Sequence, residues 1–88
     1  MTILYHSKFA REYKRLPEKV KDLAEEREQI FRADPFDHRL KTHKLKGPLT
    51  GFWSFSINQK YRVIFDFFGK GKDTVCFYSV GAHDIYDV

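Results

Sequence analysis

The hydrophobic pattern of this chain changes period near its middle, and that change limits the folds it can adopt. In the first half apolar residues recur at helical spacing: Phe9, Tyr13 and Leu16, then Val20, Leu23, Ala24, Ile30 and Phe31. In the second half Trp53, Phe55 and Ile57 alternate with polar residues, which is the pattern of a half-buried strand. Helices followed by strands indicate an α+β fold.

Caps and prolines divide the first half. Residues 2–5 are predicted to form a short strand, and Ser7 is the expected N-cap of a first helix because its hydroxyl can accept a free backbone N–H. Pro17 interrupts that helix and suits the first turn of a second one. Asp34 precedes a proline and is therefore pushed out of the helical region, which ends the second helix. The two helices are expected to form an antiparallel hairpin.

Short connections join the strands of the second half. Residues 58–60 are expected to turn the chain into a strand at 61–68, and the loop at 69–73 leads into a third strand at 74–80. Such connections predict an antiparallel meander with the helices on one face. We therefore expect one domain over residues 1–88, an N-terminal strand and a two-helix hairpin packed on an antiparallel β-sheet in the order β-α-α-β-β-β.

Positive charge is concentrated in the middle of the chain. Between His38 and Phe65 there are six lysines and arginines and no acidic residue, whereas the rest of the chain has ten bases and twelve acids. A focused positive field favours polyanions such as nucleic acid. A solvated basic loop is the alternative interpretation.

Several classes of protein are excluded by composition. Cys76 is the only cysteine, so the chain has neither an internal disulfide framework nor a cysteine-based zinc site. His38 and His43 stand in a loop without a carboxylate cluster, and we expect no metal and no cofactor. The apolar runs are too short to span a bilayer, and residues 1–6 lack the apolar segment of a signal peptide. We expect a reduced, cytoplasmic protein that does not bind membranes.

Two histidines are candidates for acid–base chemistry. Neighbouring lysines disfavour a charged His43 imidazole, so this ring is expected to be neutral at pH 7, as a general base requires. The alternative is an exposed loop histidine. His83 is followed by Asp84, which favours the protonated form and an acid role; the alternative is a surface histidine or a cap on the strand end.

Arg62 and Tyr86 complete the candidate catalytic residues. Arg62 either clamps a phosphate or pairs with Asp66 on the same side of the strand. Tyr86 either stacks on a base or packs as the last apolar anchor of the chain.

The segment from His43 to Phe65, HKLKGPLTGFWSFSINQKYRVIF, resembles the RelE/ParE toxin superfamily, and its LTGFWS stretch is most similar to the YoeB branch. The closing VGAHDIY agrees with the same pattern. The resemblance implies a toxin of a type II toxin–antitoxin system. Members with nuclease activity cut mRNA in the ribosomal A site without a metal, because the RNA 2′-OH attacks its adjacent phosphate and leaves a 2′,3′-cyclic phosphate and a 5′-OH.

The resemblance also implies roles for the candidate residues. His43 stands where the YoeB branch has a glutamate and the YafQ branch a histidine, and is therefore the expected base. Arg62 matches the family arginine that stabilises the phosphate, and His83 matches the histidine that acts as acid. Tyr86 resembles the closing aromatic residue, whose role is stacking or proton transfer.

The chain departs from RelE at one strand. RelE has two lysines where Ser54 and Ser56 stand here, and the YafQ branch has a second histidine at the position of Ser56, so the acid–base work falls to His43 and His83. The remaining residues expected to bind substrate surround that strand: Lys41, Lys44, Lys46, Trp53, Ser54, Ser56 and Lys60.

The expected activity is ribosome-dependent endonuclease cleavage of mRNA. Two alternatives are a ParE-like toxin that inhibits DNA gyrase by protein binding and a non-catalytic homologue that only binds an antitoxin. The expected partners are a cognate antitoxin, the ribosome with its mRNA, and DNA only indirectly through the antitoxin complex. Such antitoxins wrap the toxin with a segment that folds on binding.

Overall fold

Two helices and a five-stranded mixed sheet make up the fold in the computed structural model, which describes residues 1–82 except for the side chain of Lys72. The elements are, in chain order, β1 (Thr2–Tyr5), α1 (Ser7–Lys14), α2 (Glu18–Ala33), β2 (His43–Lys44), β3 (Trp53–Ser56), β4 (Tyr61–Phe68) and β5 (Thr74–Ala82). The predicted α+β class, with a helical hairpin between the first strand and the meander, is confirmed. Neither of the helices described is long and apolar enough to cross a membrane.

The strand order in the sheet is β1-β5-β4-β3-β2. The predicted antiparallel meander is present as β3, β4 and β5. Two features of the sheet differ from the prediction, because β1 lies parallel to β5 and β2 adds an antiparallel edge strand next to β3. The whole chain between β1 and β5 serves as the crossover that parallel pairing needs, and a four-residue strand carries no sequence signal for its direction.

The start of α1 also differs from the prediction. Its N-cap is His6 rather than Ser7, and the Nδ1 atom of His6 accepts the backbone N–H of Lys8 at 3.0 Å. An imidazole nitrogen thus fills the capping role that a serine hydroxyl usually takes. The second helix ends at Ala33 as predicted, and Pro17 is its N-cap, one position before the first turn in which it was expected.

The core lies between α2 and one face of the sheet, and Phe31 is at its centre. This residue of α2 is fully buried, and its ring centroid lies 5.0 Å from Phe55, 5.0 Å from Phe65 and 5.4 Å from Phe77. Burying a phenylalanine side chain contributes about 1.5–3 kcal/mol, and aromatic pairs add to this. The period-2 pattern of the strands therefore directs one set of aromatic rings toward α2.

Helix α1 lies beside β5, where β1 has ended. The Oε1 atom of Glu12 accepts the backbone N–H of Val80 at 3.2 Å and the hydroxyl of Ser79 at 2.7 Å. A carboxylate thus binds a β5 donor on the side of the strand where β1 no longer provides a partner. This contact holds the C-terminal half of α1 against β5.

Candidate active site

The second face of the sheet, turned away from α2, carries most of the candidate residues. We call it the distal face and define it by two rows of directly paired residues: His43, Ser54, Ile64 and Ser79 in one row, and Ser56, Arg62 and Gly81 in the next. Ile64 is buried but lies outside the core cluster that includes its neighbours Val63 and Phe65. Alternation along the strands thus separates this face from the core.

His43 is exposed on the edge strand β2, and one hydrogen bond sets its tautomer. Its Nδ1 atom lies 3.0 Å from the carbonyl oxygen of Lys41. Because a carbonyl only accepts, Nδ1 must carry the proton, and in the neutral ring Nε2 is then the proton acceptor. Lys41 has a left-handed backbone (φ 53°) at the end of the short 3₁₀ helix His38–Leu40. Local geometry therefore selects the tautomer of the neutral ring in which Nε2 can act as a base.

Arg62 lies near the start of β4 and is held by the preceding turn. Its Nη1 atom donates to the carbonyl oxygens of Asn58 and, at 3.0 Å, of Tyr61. The side chain of Asn58 in turn accepts the backbone N–H of Lys60 at 2.9 Å and that of Tyr61 at 2.8 Å. Since Arg has five N–H donors, the groups on Nε and Nη2 stay available, as far as the described residues go, for a bidentate anion.

The alternative pairing of Arg62 with Asp66 is not found. No carboxylate among the residues described forms an ion pair with Arg62. The two residues share a face of β4 but stand four positions apart, which in a strand is about 13 Å. The arginine is therefore oriented by backbone carbonyls and keeps its positive charge uncompensated within the described part of the chain.

His43 and Arg62 lie close enough to act on one nucleotide. They are two strands and two residues apart, so strand spacing and rise place their Cα atoms about 12 Å from each other. The Arg62 guanidinium is held at the turn end of this gap by the carbonyls of Asn58 and Tyr61. Between them stand Ser54 and Ser56, which are buried in the sheet surface.

Trp53 and Lys44 are placed away from His43. The indole of Trp53 packs on the α2 side, 5.4 Å from the ring of Phe36 and 5.5 Å from that of Phe67, measured between centroids. The Nζ atom of Lys44 lies 5.4 Å from the centroid of Trp53. Trp53 and Lys44 therefore lie near the β2 edge of the sheet and not on the distal face. Their predicted contact with substrate stays a prediction.

The other predicted lysines are exposed in the segments next to β2 and β4. Lys41 and Lys46 are exposed on either side of β2, and Lys60 is exposed in the β3–β4 turn with its Nζ atom 5.4 Å from the ring centroid of Tyr61. His83 and Tyr86 lie outside the described residues, so their predicted roles stay predictions. Within residues 1–82 no three histidine, cysteine or acidic side chains come together as a metal site.

Tyr78 is a distal-face residue that the sequence did not single out. The register of β4 against β5 shifts between Ile64 and Phe65, and Tyr78 is the extra residue. Simple alternation is lost at such a bulge, and no sequence signal marked its position. Phe52 is a second distal-face residue that the sequence analysis did not single out. Its position next to Trp53 in an alternating strand could have indicated that it lies on the opposite face.

Solved structures with the same fold come from bacterial toxins. The YoeB/ParE toxin from Agrobacterium tumefaciens superposes with a TM-score of 0.78 at 20% identity, covering 94% of this chain and 99% of that chain. YafQ from E. coli gives 0.73 at 17% identity, covering 94% and 93%. The YoeB–YefM complex from Staphylococcus aureus gives 0.72 at 21% identity, covering 94% and 97%. No protein-family model matches the sequence, and no curated protein is similar to it at a significant level.

These similarities establish a fold. The chain has the RelE/ParE type of fold over nearly its whole length, and the resemblance to the YoeB and YafQ branches is confirmed at that level. Sequence identities of 17–21% do not carry an activity from those proteins to this one, because one fold hosts several functions.

Proposed function

We propose that this protein is the toxin of a type II toxin–antitoxin system and that it cleaves mRNA in the ribosomal A site without a metal. The observation that supports the proposal most directly is the pairing, on one face of the sheet, of a histidine whose Nε2 is the proton acceptor with an arginine that no described carboxylate neutralises. The type of fold and the basic segment around β2 agree with it.

The reaction needs a base, a cation and an acid. Nε2 of His43 takes the proton from the RNA 2′-OH, whose oxygen forms a bond to the adjacent phosphorus. The Arg62 guanidinium stabilises the charge that develops on the phosphorane oxygens. As the bond from phosphorus to the 5′ oxygen breaks, His83 supplies a proton to that oxygen, and the products are a 2′,3′-cyclic phosphate and a 5′-OH. In this proposal Tyr86 stacks on the nucleotide or assists proton transfer.

The basic segment supplies the second part of the proposal. Lys41, Lys46 and Lys60 are exposed and lie within five residues of His43 or Arg62 in the chain. Such charge favours both the ribosomal RNA around an A site and the phosphates of mRNA. We propose that a cognate antitoxin covers this same surface with a segment that folds on binding. A solved relative of the same fold is a complex of YoeB with YefM.

The test is to map new 5′ ends of mRNA in a translating extract. The wild-type protein is compared with His43→Ala, with the double variant His43→Ala/His83→Ala, and with His38→Ala as the matched control, since His38 is an exposed histidine in the short 3₁₀ helix that precedes β2. We expect ends inside ribosome-engaged codons, a rate reduced about 10²–10⁴-fold by His43→Ala, and an unchanged rate for His38→Ala.

Each other result has a definite meaning. Cleavage that persists in the double variant would keep the nuclease function and refute the site. No cleavage, with growth arrest that survives the double substitution, would instead indicate a gyrase-binding toxin. No cleavage and no arrest would indicate a homologue that only binds an antitoxin.

A further inference from the structure

A second group of side chains on the distal face takes no part in the chemistry above. At the bulge in β5, Tyr78 has no partner on β4, where the register shifts between Ile64 and Phe65. Bulges commonly re-aim a side chain, and the ring of Tyr78 lies outside the core that its neighbour Phe77 enters. The bulge therefore presents an aromatic ring on the distal face.

Three rings meet at this point and form what we call the Tyr78 platform: Tyr78, Phe52 and His6. The centroid of Tyr78 lies 5.2 Å from that of Phe52 and 4.9 Å from that of His6, and the Nζ atom of Lys8 lies 5.8 Å from it. Tyr78 and Phe52 are half-buried, and His6 is exposed. Aromatic rings beside a cation are the combination with which proteins hold single-stranded nucleic acid.

The platform lies beside the row of the sheet that contains His43, on the side away from Arg62. Ser79, next to Tyr78, pairs with Ile64, and that row continues through Ser54 to His43. Three strand spacings separate β5 from β2, which is about 14 Å. Arg62 lies on β4, one of the two strands between them. A short stretch of extended RNA bound at His43 and Arg62 therefore has a path to the platform.

Charge decides which part of the RNA faces the platform. Arg62 and Asp66 stand at opposite ends of one face of β4, and Phe52 lies toward the Asp66 end. The ammonium group of Lys8 is already bonded to Glu12 at 3.1 Å and to Ser79 at 2.9 Å. A phosphate is thus attracted to the Arg62 end and repelled at the other, whereas a neutral base with an aromatic face fits the platform.

We infer that the Tyr78 platform stacks one base of the RNA strand next to the bond that is cleaved. The inference rests on the proposed function and makes Tyr78 a positioning residue, since it holds a neighbouring nucleotide and does not touch the reacting atoms. Stacking at a fixed point contributes binding energy for the strand in the ground state and in the transition state alike, so its loss raises KM and leaves kcat unchanged.

The test combines variants of Tyr78 with an altered RNA. Cleavage kinetics are measured on ribosomes programmed with intact mRNA, or with mRNA that has an abasic nucleotide beside the cleaved bond. Tyr78→Leu keeps the apolar bulk and removes the aromatic face, and Tyr78→Phe keeps the face. We expect Tyr78→Leu to raise KM for intact mRNA about 5- to 150-fold, the range of a lost base–aromatic stack. Tyr78→Phe should stay within about twofold of wild type.

The abasic mRNA separates stacking from a structural defect. It should raise the KM of the wild-type protein as much as Tyr78→Leu does, and it should cause no further loss in that variant. Two losses that multiply, or wild-type KM in Tyr78→Leu, would overturn the inference while the nuclease function stands.

A protein without nuclease activity would refute the proposed function but still allow the inference to be decided. Fluorescence anisotropy of the same RNA, without ribosomes, would then compare wild type with Tyr78→Leu. Weaker binding by Tyr78→Leu to intact RNA but not to abasic RNA would support the platform, and equal affinities in all four combinations would refute it.

Discussion

Replacing Glu12 by alanine should destabilise the protein far more than its position on a surface helix suggests. The carboxylate accepts the backbone N–H of Val80 and the hydroxyl of Ser79, and these two β5 residues are only 1% and 2% exposed. Without Glu12 both donors lose their acceptor in a place that water reaches poorly. An unsatisfied buried donor costs about 1–3 kcal/mol, so allowing for partial hydration we expect a total loss of about 2–3 kcal/mol.

That loss is a large share of the stability of a chain this short. For a domain of this size each kcal/mol lowers Tm by about 4–8 °C, so Glu12→Ala should unfold about 8–24 °C below wild type. The measurement is thermal and urea unfolding followed by circular dichroism. Glu12→Gln keeps an acceptor oxygen and loses only the ion pair with Lys8. Its free energy of unfolding should therefore be less than about 1 kcal/mol below that of wild type.

The matched control is Glu26→Ala, because Glu26 is an exposed acidic residue of α2. A surface substitution of this kind changes stability by less than about 0.5 kcal/mol. If Glu12→Ala were no less stable than Glu26→Ala, the docking of α1 through this carboxylate would be wrong.

Two further substitutions test the core and the loop before β2. Phe31→Ala should lower the free energy of unfolding by about 3–5 kcal/mol, because the fully buried ring contacts three other phenylalanines. The measurement is urea unfolding, and a decrease of only about 1 kcal/mol would refute the prediction. Hydrogen bonds from Arg39 hold the pKa of Asp37 well below its usual range, so this carboxylate stabilises the fold at neutral pH, and the contribution is lost as the pH falls through the lowered pKa. Asp37→Asn should therefore be less stable than wild type at pH 7, and the difference should shrink below about pH 4 in an unfolding series; a difference independent of pH would contradict it.

Much of the fold follows from local patterns. The helical spacing from Phe9 to Phe31 and the alternation from Trp53 onward each report a buried face, and a proline has the same effect on the backbone in any context. The boundaries of α2 and the meander were therefore predictable. The basic segment and the positions of His43 and Arg62 were visible for the same reason, since the type and spacing of residues are properties of the chain itself.

The tertiary structure alone decided how these parts meet. The parallel pairing of β1 with β5 joins residues more than seventy positions apart, and no local pattern encodes such a register. The tautomer of His43 depends on a carbonyl that the left-handed turn at Lys41 places beside it. The separation of Trp53 from His43, and the emergence of Tyr78 at a bulge, likewise follow from strand pairing, because the face on which a side chain lies is settled only when its strand finds its partner.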